Sequence, residues 1–391
     1  MMCVASRFPA PLILIHSIVF VSRVLCAQEE GPRVLLEPPS DSRVRVETGD
    51  DSTTDVSANY QNEQSNDDFE IDYPGRELDA EWREEAAERI EEHRKAELTV
   101  LVTDAEGKPI KEASVGIWLK QHSFRFGTVV SVEFSLPIIA APPEPTTELG
   151  VHPEDAENAI PRAALSPIAE MPAGSRFSEK DRSMYREKLF ALFNTALPKE
   201  ESAIVHERLT AWLRSRGFLF DADEVQVRTV PATFTISDLI PPEKLIRDLE
   251  QLEKETDLPL AARHFSLSVD PENSEQLELQ ADYTRDYLTA LFSIPKMREI
   301  SIDGFWAPAS GVDGWALFEE DWNMRPVGHV YSDLLKRVWC TNEEALTDAA
   351  GKVKIRGFLG TYRVSVVVGS RMKTITAFLP EGGAVIKVPM H

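Results

Sequence analysis

Between Asp303 and Trp322 the chain sets the carboxylates Asp303, Asp313, Glu319 and Glu320 among three tryptophans, Trp306, Trp315 and Trp322. Two carboxylates about 5 Å apart, one with a raised pKa, can cleave a glycosidic bond with retention. Flat indole faces stack on sugar rings. The same acids also suit solvated loops and helix caps, and Trp306 equally suits a packed core. His264 is a second residue type with chemistry to offer. As a metal ligand it lacks any His or Cys at ligand spacing, so beside Arg263 it reads as a satisfied strand-end residue. Cys340 is a third. Cys3 and Cys26 lie in a removable leader, which leaves Cys340 with no disulfide partner and no neighbouring base, a structural thiol.

These residues must be positioned by a fold, and the local patterns name its elements. Leu78, Trp82, Ala86, Ile90 and His93 recur at helical spacing through Asp79–Ala96. Strand-like runs at 98–102 and 113–119 flank the turn residues Asp104-Ala105-Glu106-Gly107-Lys108-Pro109. Residues 136–180 are rich in Pro, Ala and Glu, as in a surface insertion. Helical patterns cover 181–196, 200–216, 242–255, 276–292 and 327–338, with apolar strand candidates at 122–130, 258–267 and 299–305. Helix alternating with short buried strand predicts a parallel α/β sheet. Past residue 340 the pattern alternates in short runs between Gly, Pro and Ser, a small antiparallel module. Its Asp348-Ala349-Ala350-Gly351-Lys352 echoes Asp104-Ala105-Glu106-Gly107-Lys108, so both ends are expected in one β-sandwich around the α/β core.

Composition narrows the function classes. Of 391 residues, 65 are Asp or Glu and 42 Lys or Arg, a formal charge of -23. That balance repels phosphate backbones and anionic membranes, which argues against nucleic acid as partner and leaves a neutral polysaccharide or a protein open. Residues 1–27 read as a secretory signal, with Arg7, an apolar run from Pro11 to Phe20, and Leu25-Cys26-Ala27 before Gln28. As a membrane anchor the run is too short, and Arg23 interrupts its end. Residues 28–75 are acidic and turn-rich without periodicity, a disordered spacer; a calcium loop there lacks the glycine-turned ligand spacing.

Several segments, in order, resemble glycoside hydrolase family 10, the endo-1,4-β-xylanases. The leader Arg89–Val100 is similar to theirs, and so is Gln121-His122-Ser123-Phe124-Arg125-Phe126-Gly127, which in the family enters the first barrel strand. Phe190-Ala191-Leu192-Phe193-Asn194, Ala211–Gly217 and Pro241–Pro259 match successive family helices. Gln280-Ala281-Asp282-Tyr283, Gly304-Phe305-Trp306 and Ala316-Leu317-Phe318 match its closing section, where the family places tryptophans. The resemblance covers most of residues 80–391. It implies a (β/α) barrel and a retaining mechanism with two glutamates.

The chain departs from that pattern where the chemistry lies. The strand that carries the family's nucleophile, in a Thr-Glu-Phe-Asp context, reads Ala262-Arg263-His264-Phe265-Ser266 here. His264 takes the nucleophile position and Ser266 that of the supporting acid. Imidazole cannot replace a carboxylate facing an oxocarbenium-like centre. No Asn-Glu-Pro, the acid/base motif, occurs anywhere, and the stretch from Val227 to Pro241 is too short for the family's middle strands.

The resulting expectation is an α/β protein: an incomplete or rearranged (β/α) TIM-type barrel at 121–339, a helix plus β leader at 76–120, and a C-terminal β module at 340–391, the last two forming a small antiparallel β-sandwich. No catalytic residue, metal or cofactor is expected, with His264 and Ser266 at degenerate positions. Trp306, Trp315 and Trp322 are the candidate carbohydrate-binding residues, with a xylan-like polysaccharide as partner. The functional reading is a secreted, periplasmic or cell-surface non-catalytic relative of the xylanases, carbohydrate-interacting or scaffolding, without membrane attachment after signal cleavage. An active endo-β-1,4-glycanase with relocated carboxylates and a structural protein without glycan contact are the alternatives.

Overall fold

The computed structural model describes residues 72–135, 177–199, 203–220 and 226–391. The expected signal, nearly all of the expected spacer and most of the insertion at 136–180 lie outside them. Trp82, Ala86 and Ile90 form the buried stripe of helix α1 (Glu81–His93), as their spacing requires, whereas Leu78 precedes the helix and is exposed, His93 is half-buried, and Lys95–Ala96 already belong to a strand. Strands β1 (Lys95–Thr103), β2 (Ser114–His122) and β3 (Arg125–Val130) follow, then the short helix α2 (Val132–Ser135). Next come α3 (Glu179–Leu192), β4 (Thr195–Pro198), α4 (Ala203–Ser215), β5 (Arg228–Val230), β6 (Thr233–Thr235), α5 (Pro242–Glu255), β7 (Leu260–Ser268), α6 (Ser274–Ser293) and β8 (Met297–Ile302). The short helix α7 (Ala307–Ser310) precedes α8 (Pro326–Asp333), which runs into a π turn at Leu334–Val338. Strands β9 (Asn342–Leu346), β10 (Lys352–Phe358), β11 (Gly360–Val368), β12 (Arg371–Leu379) and β13 (Ala384–Pro389) end the chain.

Strands β4-β3-β8-β7-β5 form one parallel sheet in that order, with β6 also beside β7. Among the described residues its two ends do not pair with each other, so a closed barrel is not formed by them. Phe265, Ile300 and Ile302 of the central strands are fully buried against Tyr283, Tyr287 and Leu291 of α6. Phe265 stacks on Tyr287 with centroids 5.0 Å apart. The helical pattern expected over 181–196 stops at Leu192. Asn194 explains the stop: its side chain accepts from Phe126 N–H and donates to the His122 and Phe124 carbonyls, which lays Thr195–Pro198 beside β3 as a strand. A tertiary ladder here overrides local helical preference. The stretch 227–241, too short for regular middle strands, still supplies the three-residue strands β5 and β6.

The leader and the C-terminal strands do pair. One sheet runs β10-β1-β13 and the other β12-β11-β2-β9. Leu98, Val100, Val115, Ile117, Val364 and Val366 are fully buried between them. The sandwich is not purely antiparallel: β1 pairs β10 antiparallel but β13 parallel. This corrects the expected pattern, because alternation specifies which face a strand buries and not the direction of its neighbour.

The two Asp-x-x-Gly-Lys segments are the same turn. Asp104 Oδ1 accepts from the amides of Glu106 and Lys108, and Asp348 Oδ1 from those of Ala350 and Lys352. Gly107 and Gly351 sit at φ of 84° and 69°, a region glycine enters without steric cost. Gly351 of the second turn meets the strand that leads into the first, its carbonyl accepting from Val102 N–H. Each turn connects a strand of one sheet to a strand of the other. Asp348→Ala is expected to lower unfolding free energy by about 1 kcal/mol, with Asp348→Asn retaining most of it, because two amides lose their acceptor. Urea unfolding of both variants checks this.

At the seam between sandwich and parallel sheet, the His122 ring donates from Nε2 to the Trp339 carbonyl and packs edge-on to Phe126, Phe292 and Phe358. Burial, helped by the positive Arg94 nearby and opposed by the carbonyl bond, lowers its pKa from 6.5 to about 4. Above pH 6.5 neutral His122 costs nothing. Below it, the unfolded chain takes a proton that the folded chain refuses, so stability falls until the folded ring protonates near pH 4. The expected loss across that window is roughly 3 kcal/mol. His122→Gln should remove this part of the pH slope. A variant whose unfolding midpoint falls as steeply as the parent's between pH 7 and 4.5 would assign the slope elsewhere.

Candidate functional site

At the C-terminal end of the parallel strands, β7 breaks its ladder. The register shifts between Ala262 and Phe265, and His264 takes φ of 62°, which turns its ring out of the sheet. A non-glycine residue there is strained and held by its surroundings. Thr233 Oγ donates to the His264 carbonyl at 3.1 Å, and His264 Nδ1 meets Asp303 Oδ1 at 2.7 Å. Asp303 follows directly after β8, its amide donating to the Phe265 carbonyl at 2.9 Å. The His264 side chain is 57% exposed and the Asp303 side chain 17%. Ser266 is buried, and its hydroxyl reaches Asp303 Oδ2 only at 3.5 Å.

This order of contacts limits the chemistry. A nucleophilic triad places histidine between acid and serine, so that imidazole takes the serine proton. Here the aspartate lies in the middle, and Ser266 is closed off. Asp303 orients the imidazole, which is exposed on its remaining surface and can accept or donate one hydrogen bond.

The other carboxylates nearby are engaged or separate. Glu299, buried on β8, is gripped by Arg263 at 2.9 and 3.0 Å, by Arg125 at 3.4 Å and by Ser301 Oγ at 3.0 Å. Glu319 pairs with Arg325 through two bonds of 2.6 and 2.9 Å. Asp313 and Glu320 are exposed, and it is their backbone carbonyls that are used, accepting from Ser268 Oγ and Trp306 Nε1. Among the described residues no group of three His, Cys, Asp or Glu converges as for a metal ion.

The tryptophans separate by burial. Gly304, at φ of 58° with Ser310 Cα only 2.5 Å from where a Cβ would stand, makes the tight turn that leads to Trp306. Trp306 is fully buried, and Trp322 stacks on it with centroids 4.5 Å apart and planes 8° from parallel. Trp315 is also buried, edge-on to Phe265 at 5.3 Å, its Nε1 donating to the Gly304 carbonyl. Trp322 alone of the three keeps exposed surface, with φ of 72° and its Nε1 donating to Asp181 at 3.2 Å. The structure thus joins His264, Ser266 and Asp303, and joins Trp306 to Trp322. Sequence spacing could not reveal the His264–Asp303 bond, which spans 39 residues between neighbouring strands. Nor could it reveal the arginines that occupy Glu299.

No family profile matches the chain. It is 28% identical over 188 residues to the anti-sigma-I factor RsgI6 of Acetivibrio thermocellus, a match covering 48% of this chain and 22% of that protein. The chain therefore spans about a fifth of that relative's length. Among solved structures it resembles xylanase 10B of Thermotoga petrophila RKU-1 in complex with xylobiose, at 17% identity and a TM-score of 0.26 over 35% of this chain and 44% of that one. Native xylanase 10B of Thermotoga maritima gives the same identity and TM-score over 34% and 42%. The likeness to these xylanases is thus partial. The described residues form a mixed α/β architecture with one parallel sheet beside a two-sheet sandwich.

Proposed function

We propose that this chain is a secreted, non-catalytic, glycan-interacting relative of the family 10 glycoside hydrolases. The observation that carries the reading is His264. It stands where the family pattern requires a glutamate, and its imidazole is fixed by Asp303 in place of a free nucleophile. A retaining hydrolase needs one carboxylate free to attack and another to protonate the leaving group. Asp303, Glu299 and Glu319 are each held by a histidine or an arginine. Contact with a sugar needs neither carboxylate. Trp322, braced from beneath by Trp306, supplies the aromatic surface, and the outer edge of His264 supplies a polar contact.

Affinity electrophoresis of the full chain in gels containing xylan, mannan or β-glucan tests this. Retardation by one neutral polysaccharide, reduced about tenfold in affinity by Trp322→Ala, is the expected result. Migration unchanged by every polysaccharide would leave the structural alternative in its place.

A further inference from the structure

At the opposite end of the parallel strands from His264, the sandwich and the sheet enclose a crevice of ≈ 390 Å³. It lies within the size range of small-molecule sites. Its walls are mainly apolar, with Phe124 and Phe292 from the α/β side and Leu359, Phe378 and Leu379 from the sandwich. Two guanidiniums enter it, Arg94 and Arg298.

Arg94 is the unusual member. It is 4% exposed, yet no carboxylate pairs with it among the described residues. Its Nε donates to the Phe292 carbonyl at 2.8 Å, and its Nη2 donates to the carbonyls of Ile294 and Met297, just past the C-terminus of α6. Those carbonyls carry only partial negative charge. Its guanidinium lies 4.9 Å from the Phe124 ring centroid and 5.2 Å from that of Phe292, so it forms part of the aromatic wall. Burial, helped by the nearby Arg298 charge and opposed by Glu381 and Glu253, lowers its pKa to about 9. Arg298, at the rim, pairs with the exposed Glu381 at 3.2 Å, a contact that solvent screens. His122, also in the wall, is neutral at pH 7. The crevice therefore holds two cations against one rim carboxylate, in a chain whose overall charge is -23.

We infer that this seam crevice is a binding site for a small organic monocarboxylate with a flat apolar body. The carboxylate would face Arg94 and Arg298, as a charge-assisted hydrogen-bonded pair, and the body would lie against the exposed Phe378 ring, over a floor formed by the buried Phe124 and Phe292. An inorganic anion would leave the apolar walls uncovered, and a neutral aromatic would leave Arg94 without a carboxylate in contact. Seated there, the ligand would touch both the sandwich and the sheet and so bind only their assembled form.

Calorimetric titration of the full chain with cinnamate and benzoate, beside cinnamyl and benzyl alcohol, tests the inference. The acids should bind saturably and at least about tenfold tighter than the alcohols, and should raise the thermal midpoint. Because Arg94 also caps α6, its replacement can fail for structural reasons, so the rim carries the test. Arg298→Ala should weaken cinnamate about fivefold to tenfold, Phe378→Ala should weaken it similarly, and Glu381→Gln should strengthen it. Lys244→Ala, on the exposed face of α5, should change nothing. Equal affinity for acid and alcohol, or rim variants indistinguishable from Lys244→Ala, would overturn the site, as would no saturation at 10 mM ligand, roughly the weakest useful affinity. None of these outcomes bears on polysaccharide retardation, so this site and the glycan reading fail separately.

Discussion

Incubated with xylan, the purified chain is expected to release reducing sugar at least about 10⁴-fold more slowly than a working retaining glycosidase, a barrier difference of about 5.5 kcal/mol. The reason is the state of each carboxylate at the strand ends. Asp303 is tied to His264 at 2.7 Å, and Glu299 lies between Arg263 and Arg125. A carboxylate whose oxygens are occupied by arginine is not placed to give a proton to a leaving group. His264→Glu alone should not restore turnover. It would set a second carboxylate against Asp303, closer than the separation of about 5 Å that retention uses, with no proton donor for the leaving group. Turnover within a few hundred-fold of an active control, abolished by replacing Asp303, Asp313 or Glu319, would show instead that the carboxylates have moved.

Asp286→Ala should cost about 3–5 kcal/mol of unfolding free energy, the usual effect of removing one partner from a buried charged network. The Asp286 side chain has no exposed surface. It accepts from Tyr73 Oη at 2.7 Å, from Arg83 Nη1 and Nη2 at 2.7 Å and from Arg285 Nε at 2.9 Å. Burial and the Asp286 charge both raise the Tyr73 pKa, so the phenol stays a donor. With alanine, Tyr73 and Arg83 lose a shared acceptor that water cannot easily replace. The network fastens the first described residues and α1 to α6, so the loss should also speed proteolysis before Trp82. Asp286→Asn retains an acceptor and should cost roughly half as much. Denaturant titration of both variants measures this, and a loss under about 1 kcal/mol for alanine would mean the network is dispensable.

The amphipathic helices were legible in the sequence because burial repeats every three to four residues. Helix α5 begins and ends at the expected residues 242 and 255, with Leu245 and Leu249 on its buried face. The turn chemistry was legible too, since Asp and Gly at fixed offsets dictate the same hydrogen bonds at 104–108 and 348–352. Strand order was not. Nothing local states that β1 has β10 on one side and β13, in parallel, on the other, or that Thr195–Pro198 leaves the helix to join β3.

For the candidate site, the sequence alone put His264 at a strand end and showed that no Asn-Glu-Pro is present. The tertiary structure decided what those residues do. Backbone strain at His264 turns its ring onto Asp303, and stacking with Trp322 buries Trp306. A side chain's identity limits which bonds it can make. Which bond it does make depends on neighbours that only the folded chain brings within about 3 Å.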